Sequence, residues 1–206
     1  MASMNDLALN EEQRDALQEI ANIGMGKAGA ALAALLGEFV TLSVPGIKLV
    51  DAAQLRTDLL GGDMAGDTPP PVRQAFQSDI SGEAIVLFGK DGREELEELM
   101  GYDNADVNVG SEALSDIANL LVGACVRSVF EQLGRNLSFS RPSFVPPSAL
   151  QHALSDEQLG RWDVALLLEV RFTLERGGFV AKLVMLLPET AIRKMKDALE
   201  QFLQAL

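Results

Sequence analysis

The chain has 206 residues, 48% of them hydrophobic, which is enough for a packed core in one large domain or two small ones. Its formal net charge of −13, from 30 acidic and 17 basic residues, argues against a sequence-independent grip on nucleic acid or on an anionic membrane surface, and favours a partner with basic surface. A single cysteine excludes an internal disulfide; no uninterrupted apolar run approaches roughly 20 residues, and the N-terminus shows no basic segment followed by an apolar signal core, so a cytoplasmic protein without a membrane span is expected.

Met1 to Leu9 reads as a short frayed segment. Asn10 ahead of Glu11 and Glu12 forms a credible helix N-cap with acids in the first turn, and the helix should run to about Leu36, where Gly37 stops it. Phe39 to Val44 alternates like a strand ending at Pro45, Ile47 to Val50 continues it past a bend, and Asp51 to Leu60 can form a short helix. Gly61 to Pro71 is the clearest loop. Val72 to Ile80 and Glu83 to Phe88 read as a hairpin turning at Ser81-Gly82, followed by an acidic helix from Arg93 to Met100 whose Glu94, Glu95, Glu97 and Glu98 read as a solvated face.

Tyr102 to Gly110 is a polar connector, and a second long helix begins near Ser111 and ends by Gly134. Leu137 to Phe139 starts a matching strand, closed by Pro142 as Pro45 closes the first. Ser148 to Leu154 can be a short helix, Asp163 to Glu175 and Phe179 to Leu187 form a longer hairpin around Arg176-Gly177-Gly178, and Glu189 to Leu206 is a closing helix. The order repeats. An α+β protein is expected, in which a duplicated α-β-β-β-α unit with pseudo-twofold symmetry builds an antiparallel sheet under two long helices. One domain over 1–206, made of repeats at about 10–101 and 111–206, follows because each half looks too sheet-poor to stand alone.

The repeat also carries the candidate chemistry. Asp15-Ala16-Leu17-Gln18-Glu19-Ile20-Ala21-Asn22 opens the first long helix, and Glu112-Ala113-Leu114-Ser115-Asp116-Ile117-Ala118-Asn119 opens the second. The same offset of 23 positions leads from Asn22 to Pro45 and from Asn119 to Pro142. Each copy has a carboxylate and an amide three residues apart, about one helical turn on one face. Counting about 100° per residue places Leu17, Ile20, Gly24, Ala28, Ala31 and Leu35 in a core stripe, with Asp15, Glu19 and Asn22 opposite, followed outward by Gly26, Gly29, Ala30 and Ala33. That small-residue stripe suits either a tight helix contact or close approach of a partner. In the second helix Leu114, Ile117, Leu121, Ala124 and Ser128 form the core stripe, while Glu112, Asp116, Asn119 and Gly123 face outward, then Val126, Arg127 and Phe130 as a docking ridge.

The pattern Asp-x3-Glu-x2-Asn, then 22 residues and Pro, followed by a second copy, resembles the CheC/CheX/FliY phosphatases of bacterial chemotaxis, and Asn22-Ile23-Gly24-Met25-Gly26 fits CheC in particular. The resemblance implies a hydrolase that removes the aspartyl phosphate of a CheY-like receiver domain in chemotaxis or related two-component signalling. Glu19 and Asp116 would contact the receiver's active-site lysine, Asn22 and Asn119 would reach the phosphoryl group, and Mg²⁺ would arrive on the receiver, none being held by this chain. The second copy departs from the family pattern, with Asp116 in place of the usual Glu and Glu112 where Asp or Ser is usual. One methylene shortens the reach, so Asn22 is expected to carry more activity than Asn119. The alternative is a non-catalytic adaptor that binds a receiver, a flagellar switch protein or a CheD-like deamidase through the same helices; a purely structural dimerisation module has only the small-residue stripe behind it.

Other residues carry plainer readings. Cys125 reads as a small core residue, His152 lacks Cys or His neighbours at ligand spacing, and Gly24-Met25-Gly26 lacks the context of a phosphate loop. No metal or cofactor site is expected.

Overall fold

In a computed structural model, the described residues are 4–60, 68–90, 96, 98–99, 107–146, 164–175 and 178–205. After a short α1 (Met4–Leu7) comes α2 (Glu11–Leu36), whose first turn is closed by reciprocal bonds: the Gln13 amide donates to Asn10 Oδ1 at 2.7 Å and the Asn10 amide to Gln13 Oε1 at 3.2 Å. Gly37, at φ 68°, caps its other end and donates to the Ala33 carbonyl at 2.9 Å. Then follow β1 (Val40–Leu42), β2 (Gly46–Asp51), α3 (Ala52–Leu60), β3 (Val72–Gln77) and β4 (Ser81–Phe88). The later half holds α4 (Val107–Gln132), β5 (Ser138–Phe139), β6 (Ser143–Phe144), β7 (Val164–Leu174), β8 (Val180–Pro188) and α5 (Glu189–Gln204).

All the paired strands form one antiparallel sheet in the order β1-β7-β8-β4-β3-β5, with β2 also on β7 and β6 also on β3. The order reads alike from both edges: two short strands in tandem, a hairpin strand, then its partner. At the centre Ile85 faces Val184, flanked by Glu83 with Leu186 and Leu87 with Lys182. The short strands of each half pair with the hairpin of the other half. Pro45 and Pro142 lie at the breaks between tandem strands, where a residue without an N–H interrupts no ladder bond.

Long helices α2 and α4 run antiparallel on one face of the sheet: Gln132 donates to the Ile20 carbonyl at 3.1 Å, and a Cβ on Gly24 would lie 2.8 Å from the Cys125 carbonyl oxygen. Gly24 is therefore a point of backbone contact between them. The larger core lies between these helices, α5 and the sheet, with Phe76 and Phe130 rings 5.3 Å apart. A smaller core of Val50, Leu55, Leu59, Ile85, Leu87, Ala165, Leu167, Val184 and Leu186 covers the other face beneath α3. Ser111–Gln132 is long and apolar enough by composition to span a membrane, but most of it is buried against α2 and the sheet.

The opposite face of the sheet carries two diagonal ion pairs at corresponding positions with their charges exchanged. Arg73 forks onto Glu83 through two 2.6 Å bonds, which hold its guanidinium above its ordinary pKa against the opposing effect of burial. On the other side Lys182 lies 3.2 Å from Glu169 and also donates to the Asp58 carbonyl at 2.9 Å. Charge complementarity is kept while its polarity is not.

Several expectations are corrected. Residues 4–7 form a helical turn with Leu7 fully buried, tied down by Lys196 Nζ donating to the Asp6 and Ala8 carbonyls. The second long helix starts at Val107, four residues before Ser111. The first hairpin turns at Ser78-Asp79-Ile80; Ser81 and Gly82 belong to β4, where a Gly82 Cβ would collide with the Leu186 carbonyl and the Phe76 ring. Glycine serves close packing there. The Gly61–Pro71 loop before Thr68, most of the Arg93–Met100 helix, Tyr102 to Asp106, the Ser148–Leu154 helix and His152 lie outside the described residues.

Candidate functional site

Glu19 and Asn22 lie on α2, and Asp116 and Asn119 on α4; all four side chains are exposed. Each pair sits one turn apart beside a buried apolar arc, Leu17, Ile20 and Ala21 in one copy and Leu114, Ile117 and Ala118 in the other. Because α2 and α4 are antiparallel, the pairs lie on either side of the point where Gly24 meets Cys125, each near the middle of its own helix.

Around the second pair the ridge expected from Val126 and Phe130 is absent: both are buried, at 1% and 0% exposure, and only Arg127 faces out, with its guanidinium 5.0 Å from the Phe139 ring centroid. The cause is that α4 packs on two neighbours, α2 and the sheet, which widens its apolar arc beyond a single stripe. On α2, Leu35 is 45% exposed where the core was expected, and Leu32 and Leu36 are buried instead. Gly29 is buried with its Cα against Leu42 of β1, whereas Gly26 is exposed and has open space around it.

The two amides differ in their partners. Asn119 Oδ1 accepts a bond from Gln74 Nε2 at 3.1 Å, and the same nitrogen donates to the Ser140 carbonyl at 2.9 Å. Among the described residues no hydrogen bond reaches the Asn22 side chain. Corresponding positions follow from the backbone: Ser140 and Ala75 exchange bonds through the Ser140 amide and hydroxyl, as Ser43 and Arg171 do. Gln74 therefore corresponds to Val170, which is fully buried and apolar.

The sequence reading missed Gln74. Its signal was the period-two alternation of Val72, Gln74 and Phe76 on the buried side of a strand, with an amide in the middle of an apolar row.

A carboxylate can pair with a cation on an approaching protein, and an amide can both accept from a water and donate to an oxyanion. Burial pushes the Cys125 thiol up to about 12, so it stays protonated at neutral pH. Among the described residues no cluster of three or more His, Cys, Asp or Glu side chains could hold a metal ion.

The fold and site together define an α+β protein that displays two amide–carboxylate pairs on a packed pair of helices. Residues 12–49 match the model of the CheC-like family, a span that includes Glu19, Asn22 and Pro45. The CheY-P phosphatase CheC of Bacillus subtilis is 30% identical over 126 residues, 56% of this chain and 57% of that protein. The flagellar motor switch phosphatase FliY of the same organism is 22% identical over 183 residues, 86% of this chain and 46% of that protein. The chain thus spans about half the length of the curated relatives it matches. Thermotoga maritima FliY has the same fold, with a TM-score of 0.68 at 18% identity over 95% of this chain and 99% of that one. Part of the chain is thus similar to the CheC-like family, and its identity to CheC is modest.

Proposed function

We propose that the protein is a cytoplasmic phosphatase for the aspartyl phosphate of a CheY-like receiver domain, with Glu19 and Asn22 as its principal site. The observation that carries this reading is the exposed amide one helical turn from an exposed carboxylate on a rigid, capped helix. The names of the relatives support the substrate class.

An acyl phosphate is already reactive, so its hydrolysis chiefly needs an aimed water and balanced charge. The Asn22 carbonyl accepts from the attacking water in line with phosphorus; the water oxygen bonds to phosphorus as the acyl oxygen leaves, giving inorganic phosphate and restoring the receiver's carboxylate. Mg²⁺ carried by the receiver would supply charge balance at the phosphoryl oxygens; no residue of this chain is assigned to hold it. Glu19 pairs with a receiver lysine and fixes the approach. Asp116 and Asn119 form the weaker second site, for two reasons: the anchor is one methylene shorter, and the Asn119 carbonyl already has a partner in Gln74.

That occupied carbonyl also favours a second reading for this end of the molecule, a binding surface without turnover, which extended to both ends gives the adaptor for a receiver, switch protein or CheD-like deamidase. Phosphate release from a phosphorylated receiver with Mg²⁺ separates the two. The phosphatase reading expects faster release with the wild type and the uncatalysed rate with Asn22→Ala/Asn119→Ala. Receiver binding with no acceleration by the wild type would establish the adaptor.

A further inference from the structure

Gln74 is 4% exposed and faces the helix side of the sheet between Val72 and Phe76, yet its Oε1 has no hydrogen-bond partner. A buried amide left half-satisfied costs stability, and the equivalent position in the other half does without one, as Val170 shows. What Gln74 does provide is direction. The Ser140 carbonyl can only accept, so the group facing it must be Nε2; the second N–H of that nitrogen then points at Asn119 and fixes Oδ1, not Nδ2, as the atom that meets it.

The geometry points to Gln74 as a positioning residue that restrains the second site: it holds the Asn119 carbonyl back toward β3 and turns the Asn119 NH₂ outward. A water approaching from the open side then meets donors where the proposed reaction needs an acceptor. The remaining lone pair of Oδ1 is less basic because the first already accepts a bond. This inference rests on the phosphatase reading. It adds that a residue of the sheet, beside the shorter Asp116 anchor, makes the two sites unequal, and that one substitution removes this part of the difference.

The test uses Gln74→Met, nearly isosteric and unable to donate, with Gln74→Val, the residue of the other half, as the second choice should the first fail to fold. In the Asn22→Ala background, where only the second site remains, Gln74→Met should raise the receiver dephosphorylation rate at saturating receiver about fivefold, as expected for freeing one hydrogen-bonded acceptor, with half-saturation unchanged. In the Asn119→Ala background it should change nothing. An unchanged or lower rate in the Asn22→Ala background would overturn the restraint. The contact itself is read without turnover from the ¹⁵N side-chain amide of Asn119, which should shift and gain mobility in Gln74→Met; an unmoved resonance would overturn the positioning role. A wild type that accelerates nothing while the Asn119 resonance moves would mean that the phosphatase reading has failed and the contact has not.

Discussion

Asn22 and Asn119 both follow an Ile-Ala pair in sequence, yet they have different neighbours in space. Exposure of both, and of Glu19 and Asp116, was legible because 3.6-residue periodicity fixes which face of a long helix looks away from a sheet. The Gln74 contact was not, since it joins a strand to a helix across 45 residues and no local pattern encodes that pairing. Cys125 was legible as core, and its burial has a consequence in pH. The folded state holds the thiol at about 12 against an ordinary 9.0, so the unfolded chain loses its proton first as pH rises. Stability from this group is therefore complete below about pH 9 and falls toward pH 12, by up to about 1.4 kcal/mol per pH unit. Urea unfolding at pH 8 and pH 10 should show this loss in the wild type and a smaller one in Cys125→Ala; equal slopes would contradict the assignment.

At the scale of elements, the glycines of α2 divide by what they touch. Gly24 abuts the α4 backbone, so Gly24→Ala must push the helices apart and should cost about 1–3 kcal/mol despite alanine's better helix propensity. Gly26 has nothing within 4 Å, and Gly26→Ala should stabilise by about 0.5–1 kcal/mol. Denaturant midpoints of the two variants check the opposite signs. Both helices, both hairpins and the closing helix could be read from caps, prolines and alternation. The extent of the apolar arc of α4 could not, because one stripe suffices for a helix on a single neighbour, whereas Val126 and Phe130 answer to a second. Ser81-Gly82 misled for a related reason: a glycine demanded by close packing in a strand looks the same in sequence as one demanded by a turn.

For the whole molecule, the exchange of short strands between halves decides what can fold. Strands β1 and β2 lie on β7, and β5 and β6 on β3, so a chain of either half alone would leave its hairpin without outer strands and its short strands without a hairpin. Fragments 10–101 and 111–206 should each lack cooperative thermal unfolding and recover it when mixed; an independent sharp transition in either would contradict this. The most direct test of the central claim is decay of a phosphorylated receiver with Mg²⁺ in the presence of wild type, Asn22→Ala and Asn119→Ala. The account predicts that Asn22→Ala loses most of the acceleration, on the order of 10²-fold at its own site, while Asn119→Ala loses the lesser share. A larger loss from Asn119→Ala, or undiminished decay with Asn22→Ala, would contradict it.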